Sequence, residues 1–580
     1  MIKPNRYRDN TAATLNLESA GKTVRVAGWV ENIRDHGGIM FIDLRDHYGS
    51  IQITVQDESL LENVRRESAV SISGTVVRRA PETFNPKIST GEIEIVAKTL
   101  DILGQVYETL PFEPAASKET NEETRLKYRF LDLRNRAMHD AIVRRSEIIS
   151  FMRERMDALG FLEMQTPILS ASSPEGARDF LIPSRKHHGK FYALPQAPQI
   201  FKQLFMASGF DRYYQIAPCF RDEDARADRT AGEFYQLDLE MAFAEQEDVF
   251  CAGEAVMSAV LEKFGKAVRL PFPRITYDDA ILKYGTDKPD LRNPLFIVDV
   301  SDLFADSEFK PFSNKTVRAV RVPGAGAMSK TFFKNMEEYA LSIGMKGLGY
   351  IKVGETGAWL GPIDKFLTES AREGLRLRCE IAVNDVLYFI ADDSAAAAAL
   401  FAGQIRARVA ERMDLIDRGV HAACWVVDFP FYEEDERGKP RFGHNPFSMP
   451  QGELDALCSA NPFDIKAYQY DFVLDGVELA SGAVRNHKAD VMVKAFEIAG
   501  FTEEDVKAKF GALYSAFRFG APPHAGMAFG IDRLLMILFG EDNVREVIAF
   551  PLNSNAQDAL LGAPGEVGEL QLREAHIKIR

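Results

Sequence analysis

Three segments of this chain place charged residues at spacings suited to holding phosphate, a purine and a divalent ion. In the first, YYQIAPCF (213–220) and FYQLDLEMAF (234–243) read as strands around the charged loop RDEDARADRTAGE (221–233). The loop carries Arg221, Glu223, Arg226 and Arg229, and planar guanidinium groups suit forked contacts with phosphate and purine edges. Strand parity puts Phe234, Gln236, Asp238 and Glu240 on one face, with Tyr235, Leu237, Leu239 and Met241 on the other. Such a polar row is also the ordinary pattern of a solvated sheet face, so the loop needs further support. In the second segment, YQYDFVL (468–474) and VELASG (477–482) flank Asp475-Gly476, a two-residue hairpin signal. That register faces Val473 with Glu478 and leaves Asp471 on the same face, ~7–8 Å away on the diagonal. Two carboxylates at that range can share a divalent ion, and Arg485 follows closely. In the third, Gly526-Met-Ala-Phe-Gly530-Ile-Asp532-Arg533 reads strand, turn, helix. Arg533 then falls in the first helical turn, where the helix dipole and free N–H groups also favour an anion.

Positioning these groups requires a large folded body. The chain has 580 residues, 46% hydrophobic and 27% charged, an ordinary globular composition. At ~100–200 residues per domain it holds three to five domains. No stretch approaches the ~18 consecutive apolar residues of a membrane span, and MIKPNRYRDNTAATLNL lacks a secretory apolar core. A cytoplasmic location without a membrane partner is the expectation. The five cysteines are spread out with no CxxC pair, which argues against a disulfide framework or a zinc ribbon. The net charge of −15 speaks against a nucleic-acid coat, although a local basic stripe can still hold nucleic acid.

Residues 24–30, 40–46, 50–55, 70–77 and 91–97 alternate or run β-branched between turn residues, which predicts a small Greek-key barrel such as an OB-fold. In MFIDLRD (40–46), Met40, Ile42 and Leu44 share one face and Phe41, Asp43 and Arg45 the other. Phe41 is then either a hydrophobic contact under a loop or a stacking platform for an unpaired base. Pro111–Arg125 reads as a linker. Met138, Ile142, Ile149, Met152, Met156 and Leu159 recur at helical spacing, with Gly160 as the stop. Strand and helix patterns then mix over 160–290 and again over 420–550. Between them, 290–418 begins strand-like at FIVDV (296–300) and ends in an Ala-rich helix, Ser394–Arg412. The stretch Gly324–Thr331 is one glycine short of a P-loop, and Ala327-Met-Ser-Lys330 lacks the first lysine of the class I synthetase signature loop; a solvated loop is the better reading.

These residues resemble a known family. Gly160-Phe-Leu-Glu-Met-Gln-Thr-Pro167 looks like motif 1 of the class II aminoacyl-tRNA synthetases. Phe220-Arg-Asp-Glu223 with the 233–240 strand looks like motif 2, and Gly530-Ile-Asp-Arg533 like motif 3. SSPEGARDF (172–180), ALPQAPQIFKQLF (193–205), FGHNPFS (442–448), ELASGAVR (478–485) and the tail LLGAPGEVGELQLREAHIKI narrow this to the bacterial aspartyl type, subclass IIb. The N-terminal GWVENIRDHGGIMFIDLRDHYG is similar to that family's anticodon-binding barrel, and YGTDKPDLR (284–292) to the start of its inserted GAD domain.

The resemblance implies an α+β multidomain fold: an OB-fold barrel (1–110), a hinge (111–136), an antiparallel-sheet catalytic domain (137–289 and 419–550), an α+β GAD insert (290–418) and a C-terminal extension (551–580). It implies aspartate–tRNA ligase activity with ATP and L-aspartate as substrates, Mg2+ but no zinc, and a homodimer. Arg221 would bind the α-phosphate and the new carbonyl oxygen. Glu223 would read the adenine amino group, Phe234 would stack on the ring, and Arg533 would hold the γ-phosphate. Asp222, Gly530, Ile531 and Asp532 complete the nucleotide set. Asp471 and Glu478 would bind magnesium. Lys202 and Arg485 would clamp the side-chain carboxylate of aspartate, with His444 nearby, while Glu175, Gln199, Gln236 and Asp238 gather its ammonium group. Between Arg229 and Glu233 the chain reads Thr-Ala-Gly where the family often has Gln-Pro, so the contact usual for that Gln is assigned to no residue here.

Arg34, His36, Phe41, Gln52 and Glu82 are the anticodon candidates. His36-Gly-Gly38 has the form of relaxed enzymes, which charge tRNA(Asn) as well as tRNA(Asp). Glu82 stands where relaxed enzymes often have glycine, and His36 has the alternative role of capping its loop. The rival readings are a strictly discriminating aspartyl enzyme, an asparaginyl or lysyl enzyme, and a non-catalytic tRNA-binding paralogue. The 290–418 insert and the Lys202/Arg485 pair oppose the second, and the presence of Arg221, Glu478 and Arg533 opposes the third.

Overall fold

The computed structural model describes residues 3–172, 177–229, 232–305 and 307–579, and the chain divides between Glu113 and Pro114 into two compact units. In the first unit, β1 (Thr23–His36), β2 (Ile39–Asp46), β3 (Gly49–Val55), β4 (Ala69–Arg78) and β5 (Ile93–Gly104) close into a barrel in the order β1-β2-β3-β5-β4. The expected five strands are present. Period-two patterning drives the closure, because Val24, Val26, Ile42, Leu44, Ile51, Ile53, Ile72 and Ile95 all turn into one apolar core. Gly37 and Gly38 join β1 to β2 at φ 67° and 92°, the left-handed pair that a primed hairpin turn requires.

The second unit is built around an eight-stranded sheet. Its elements, in chain order, are α1 (Arg136–Ala158), β6 (Leu162–Glu163), α2 (Gln199–Ala207), β7 (Arg212–Arg221), β8 (Gly232–Ala242), α3 (Gln246–Phe264), β9 (Arg274–Thr276), β10 (Ala423–Val427), β11 (Gln469–Leu474), β12 (Val477–Arg485), β13 (His524–Gly530) and α4 (Ile531–Phe539). The strand order is β9-β10-β11-β12-β13-β8-β7-β6. Only the edge pairs, β9 with β10 and β6 with β7, run parallel. One face of the sheet is apolar: Leu237, Leu239 and Met241 pack with Trp425, Phe472, Met527 and Phe529 beneath α1 and α3. The opposite face keeps the polar row of β8, so the sheet separates core from chemistry.

Helix α1 stops at Leu159, with Gly160 at φ 79°. Its buried stripe is Met138, Ile148, Met152 and Met156. Ile149 is only partly buried, so the inner position belongs to its neighbour Ile148. Residues 297–392 contribute a separate five-stranded sheet, from Ile297–Asp299, Thr316–Val322, Gly349–Val353, Trp359–Leu360 and Val386–Asp392. The near-P-loop stretch starts a helix there: Ser329 accepts the Phe332 N–H at 3.3 Å and caps Lys330–Ser342.

Within 111–125, Pro114–Glu119 makes a 3-10 turn and Glu122–Lys127 an α-helix, followed by a dense ion network. Arg129 pairs with Asp132 and donates to the carbonyls of Arg545 (2.9 Å), Ile548 (2.7 Å) and Ala549 (2.8 Å). Arg125 joins Asp132 at 3.1 Å and Glu546 at 2.8 Å. These bonds fix the segment after α4 against the start of the unit. Arg129 is 2% exposed, so Arg129→Leu is expected to cost this unit about 3 kcal/mol, the scale for breaking a buried pair. A urea-unfolding shift under ~1 kcal/mol, the worth of a surface pair, would remove the network from that role.

Candidate active site

On the polar face of the sheet lies a cavity of about 420 Å³, walled by α2, β8, β12, β13 and the first turn of α4. Cross-strand register explains why the space exists. Gln236, Asp238 and Glu240 stand opposite Gly530, Ala528 and Gly526, so small residues of β13 face the long polar ones of β8. Gly526 cannot be replaced without conflict, since a Cβ there would lie 2.0 Å from Glu240 Oε2.

The inner end holds four buried charges. Lys202 Nζ donates to Asp238 at 2.6 Å and lies 3.4 Å from Glu240. Arg485 forks onto Glu240 through Nε (2.9 Å) and Nη2 (3.3 Å) and also reaches the Gly526 carbonyl at 3.1 Å. Two cations and two anions cancel, which is the condition for keeping them in a dry interior. The cancellation is uneven, however. Burial lifts the Asp238 carboxyl above its ordinary range and Lys202 only partly offsets it. Burial also acts on Glu240, but there Arg485 and Lys202 prevail and hold it low. Asp238 Oδ2 is buried without a hydrogen-bond partner, so this wall carries an unfilled acceptor.

A chain of neutral groups supports the charges. His524 Nδ1–H donates to the Pro522 carbonyl at 2.8 Å, which leaves Nε2 to accept from Gln203 Nε2 at 3.0 Å. Gln199 then donates to Gln203 Oε1 at 3.0 Å. Burial lowers the pKa of His524, outweighing the pull of Glu240. His444, at the cavity wall, is also lowered by burial.

The outer end is wetter. Arg221 closes β7 opposite Gly232, with its guanidinium 5.0 Å over the Phe234 ring and its Nε unpartnered. Glu223 pairs with Arg229. Arg533 donates to the Glu478 carbonyl at 2.8 Å and approaches Asp228 at 3.7 Å. Gly530 caps α4 without a side-chain acceptor, so the first N–H groups of that helix are not used up by a cap.

At the β11–β12 hairpin, Val473 faces Glu478. A bulge between Phe472 and Val473 then sets Asp471 opposite Ser481. Asp471 is buried, its Oδ1 has no partner, and burial followed by the Glu478 charge pushes its carboxyl up to about 8. An orphaned, charge-starved carboxylate beside a second one fits a hard cation. Among the described residues no three His, Cys, Asp or Glu are gathered to hold an ion alone, so further oxygens would come from a ligand. Lys288 sits 3.3 Å from Glu478 and 2.8 Å from Asp287.

Of the sequence-derived candidates, Gln199, Lys202, Arg221, Glu223, Phe234, Gln236, Asp238, His444, Glu478, Arg485, Gly530, Asp532 and Arg533 line this one cavity. Asp471 lies beneath the wall. Asp222 is not among the lining residues, its backbone being bonded to Arg178, and Ile531 belongs to the apolar core. Glu175 lies outside the described residues. Arg229, read as part of the loop's cation cluster, also lines the cavity; Glu240 and Ser481 were missed as site residues, and the signal for Glu240 was its place on the polar row of β8.

The barrel of the first unit carries a second polar row. Arg34 donates to Asp43 at 2.6 Å and Gln52 at 3.4 Å, and Gln52 donates to Glu94 at 2.7 Å. Phe41 stands opposite Arg34 with the His36 ring edge-on at 5.7 Å. Glu82 is exposed in the turn Pro81–Thr83.

A family model for class II tRNA synthetases (D, K and N) matches residues 121–554, and one for an OB-fold nucleic acid binding domain matches 24–103. The chain is 53% identical to an aspartate–tRNA ligase of Streptomyces avermitilis, covering 99% of both chains. It is 51% identical to an aspartate–tRNA(Asp/Asn) ligase of Rickettsia akari, covering 99% of this chain and 98% of that one. Among solved structures, asparaginyl-tRNA synthetase from Pyrococcus horikoshii with asparaginyl-adenylate aligns over 92% of this chain and 95% of its own, with a TM-score of 0.56 at 20% identity. Aspartyl-tRNA synthetase from Entamoeba histolytica does so over 93% and 90%, at 0.56 and 19%.

The His524 network makes a pH prediction. A buried imidazole held neutral binds fewer protons folded than unfolded, so stability is complete above the unfolded value of ~6.5 and is lost as pH falls below it. The loss expected from this one group is about 1 kcal/mol per pH unit. His524→Asn should flatten urea-unfolding stability between pH 6.5 and 5.5 by that amount, and an unchanged slope would show that His524 is not the group responsible.

Proposed function

Because the chain belongs to the class II tRNA synthetases of the D, K and N group and is an aspartate–tRNA ligase, we propose that the two ends of this cavity hold aspartate and ATP for adenylate formation. The reaction joins the α-carboxylate of aspartate to the α-phosphorus, releases pyrophosphate, and then passes aspartate to the 3′ end of tRNA. Attack is in line on phosphorus, so the protein supplies orientation and positive charge rather than a covalent nucleophile.

The carrying observation is the buried set Lys202, Asp238, Glu240 and Arg485. Asp238 Oδ2 is a free acceptor for the α-ammonium group, joined by Gln199, Gln236 and Glu175. Lys202 and the Nη1 group of Arg485 are left to meet the β-carboxylate. Asparagine would turn an amide toward these cations and leave them unpaired. His444, held neutral, closes the wall without adding charge.

At the outer end Arg221 meets the α-phosphate and the developing oxyanion, and Phe234 stacks on adenine. Glu223 reads the adenine amino group once Arg229 turns to phosphate, and Arg533 takes the γ-phosphate from the open N-terminus of α4. Asp471 and Glu478 would hold magnesium, which supplies charge neutralisation on the polyphosphate. Motif 1, around β6, builds a homodimer, 290–418 is the GAD insert, and the cytoplasm is the site of action.

The barrel row Arg34, Phe41 and Gln52 takes the anticodon: Phe41 stacks and Gln52 hydrogen-bonds a base edge. His36, on the Gly37-Gly38 turn, accommodates either pyrimidine at the third position, so the enzyme serves tRNA(Asp) and tRNA(Asn).

Arg221→Ala is expected to lower aspartate-dependent ATP–pyrophosphate exchange by 10²-fold or more, about 3 kcal/mol for one lost donor at a developing oxyanion. Exchange within tenfold of wild type would sink that role. With Lys202→Leu, the aspartate kcat/KM should fall by roughly 2–5 kcal/mol while the ATP KM holds, and unchanged aspartate kinetics would reject the clamp. Unmodified transcripts of both tRNAs should accept aspartate; a preference above a thousandfold for tRNA(Asp) would mark a discriminating enzyme.

A further inference from the structure

We infer that Arg145, a residue of α1 outside the cavity, is a positioning residue that prepares the ATP end of the site. Its Nη1 donates to Asp532 Oδ1 at 2.5 Å and to the Val547 carbonyl at 3.2 Å. Asp532 Oδ2 accepts the Tyr235 N–H at 3.3 Å, so the same carboxylate ties the first turn of α4 to β8 between Phe234 and Gln236. From Val547 the contact continues to the cavity rim, where Val544 N–H donates to the Ala227 carbonyl at 2.8 Å in the charged loop. One side chain thus braces β8, α4 and the loop that carries Glu223 and Arg229.

Charge acts in the same direction. Asp532 sits in the first turn of α4, where an acid is favoured by the helix dipole. That is also the field a triphosphate would use. Arg145 is 15% and Asp532 7% exposed in their side chains. An ion pair this shielded keeps its strength, and an unpaired carboxylate there would repel an anion across a poorly screened path. Arg145 cancels Asp532 and leaves Arg533 and the open helix end for the ligand. The inference rests on the proposed placement of ATP along Arg533.

The experiment is pyrophosphate exchange with the full-length protein, with separate KM values for ATP and aspartate. Arg145→Met should raise the ATP KM at least tenfold and the aspartate KM less than threefold. Arg145→Lys, which keeps the charge, should return the ATP KM to within threefold of wild type. Asp532→Asn added to Arg145→Met should recover at least threefold by deleting the uncompensated carboxylate. An ATP KM within twofold of wild type for Arg145→Met, or equal losses for both substrates, overturns the inference. Arg533→Ala separates the failures: if its ATP KM is also unchanged, the placement of ATP falls first, whereas a raised value with a normal Arg145→Met rejects only the role of Arg145.

Discussion

Four charges buried in one place dictate much of the architecture around them. Lys202 and Arg485 cannot share a dry interior with Asp238 and Glu240 unless each finds its partner at hydrogen-bond distance. That condition requires β8, β13 and β12 to be neighbours in that order, although 245 residues separate Glu240 from Arg485. It also requires α2 to lie over β8, since Lys202 comes from that helix. Gly526 follows from the same demand, because any side chain there would occupy the place of the Glu240 carboxylate. The apolar face, with Leu237, Leu239 and Met241 beneath α1 and α3, is then the foundation that keeps the strands in register.

What the sequence made legible was local. Period-two alternation gave the barrel strands and both faces of β8, and Asp475-Gly476 gave the β11–β12 turn with Val473 facing Glu478. Helical spacing found α1 but chose Ile149 where Ile148 is the fully buried neighbour, since a long helix drifts against any fixed stripe. The bulge between Phe472 and Val473 left no mark in the residue pattern, yet it decides that Asp471 faces Ser481. Glu240 was on the polar row but had no role, because its partner Arg485 is distant in sequence. Arg129 and Arg145 are invisible for the same reason: each acts on backbone or carboxylate groups some 400 residues away.

The two ends of the cavity are built on different physics. The inner pairs are almost fully buried, and breaking one would strand a charge. Fixed by mutual pairing, they have only spare valences to offer a ligand, the Asp238 Oδ2 acceptor and the remaining Lys202 and Arg485 donors. The outer pairs, Arg229 with Glu223 and Arg533 with Glu478 and Asp228, keep roughly a quarter to a half of their side-chain surface in solvent. Pairs of that kind contribute about 0–1 kcal/mol, so a polyphosphate can displace them at small cost.

This asymmetry orders the work of the site. An end whose donors are already fixed by mutual pairing can read a small ligand by shape and charge without rearranging, and on the proposed placement of aspartate discrimination between a carboxylate and an amide would be made there. An end whose cations are held by weak, exposed pairs can regroup around a larger and more highly charged ligand. On the proposed placement of ATP, Arg229 would leave Glu223 for phosphate and free Glu223 as an acceptor, so one exchange of partners would serve both the phosphates and the base. Besides its ends, Arg221 on β7 and Gly232 on β8, the described part of their loop is tied through Asp222 to Arg178, through Ala227 to Val544 and, loosely, through Asp228 to Arg533. On the proposed placement of the two substrates, rigidity is concentrated where specificity would be needed, and the freedom to regroup lies where the phosphates would be gathered.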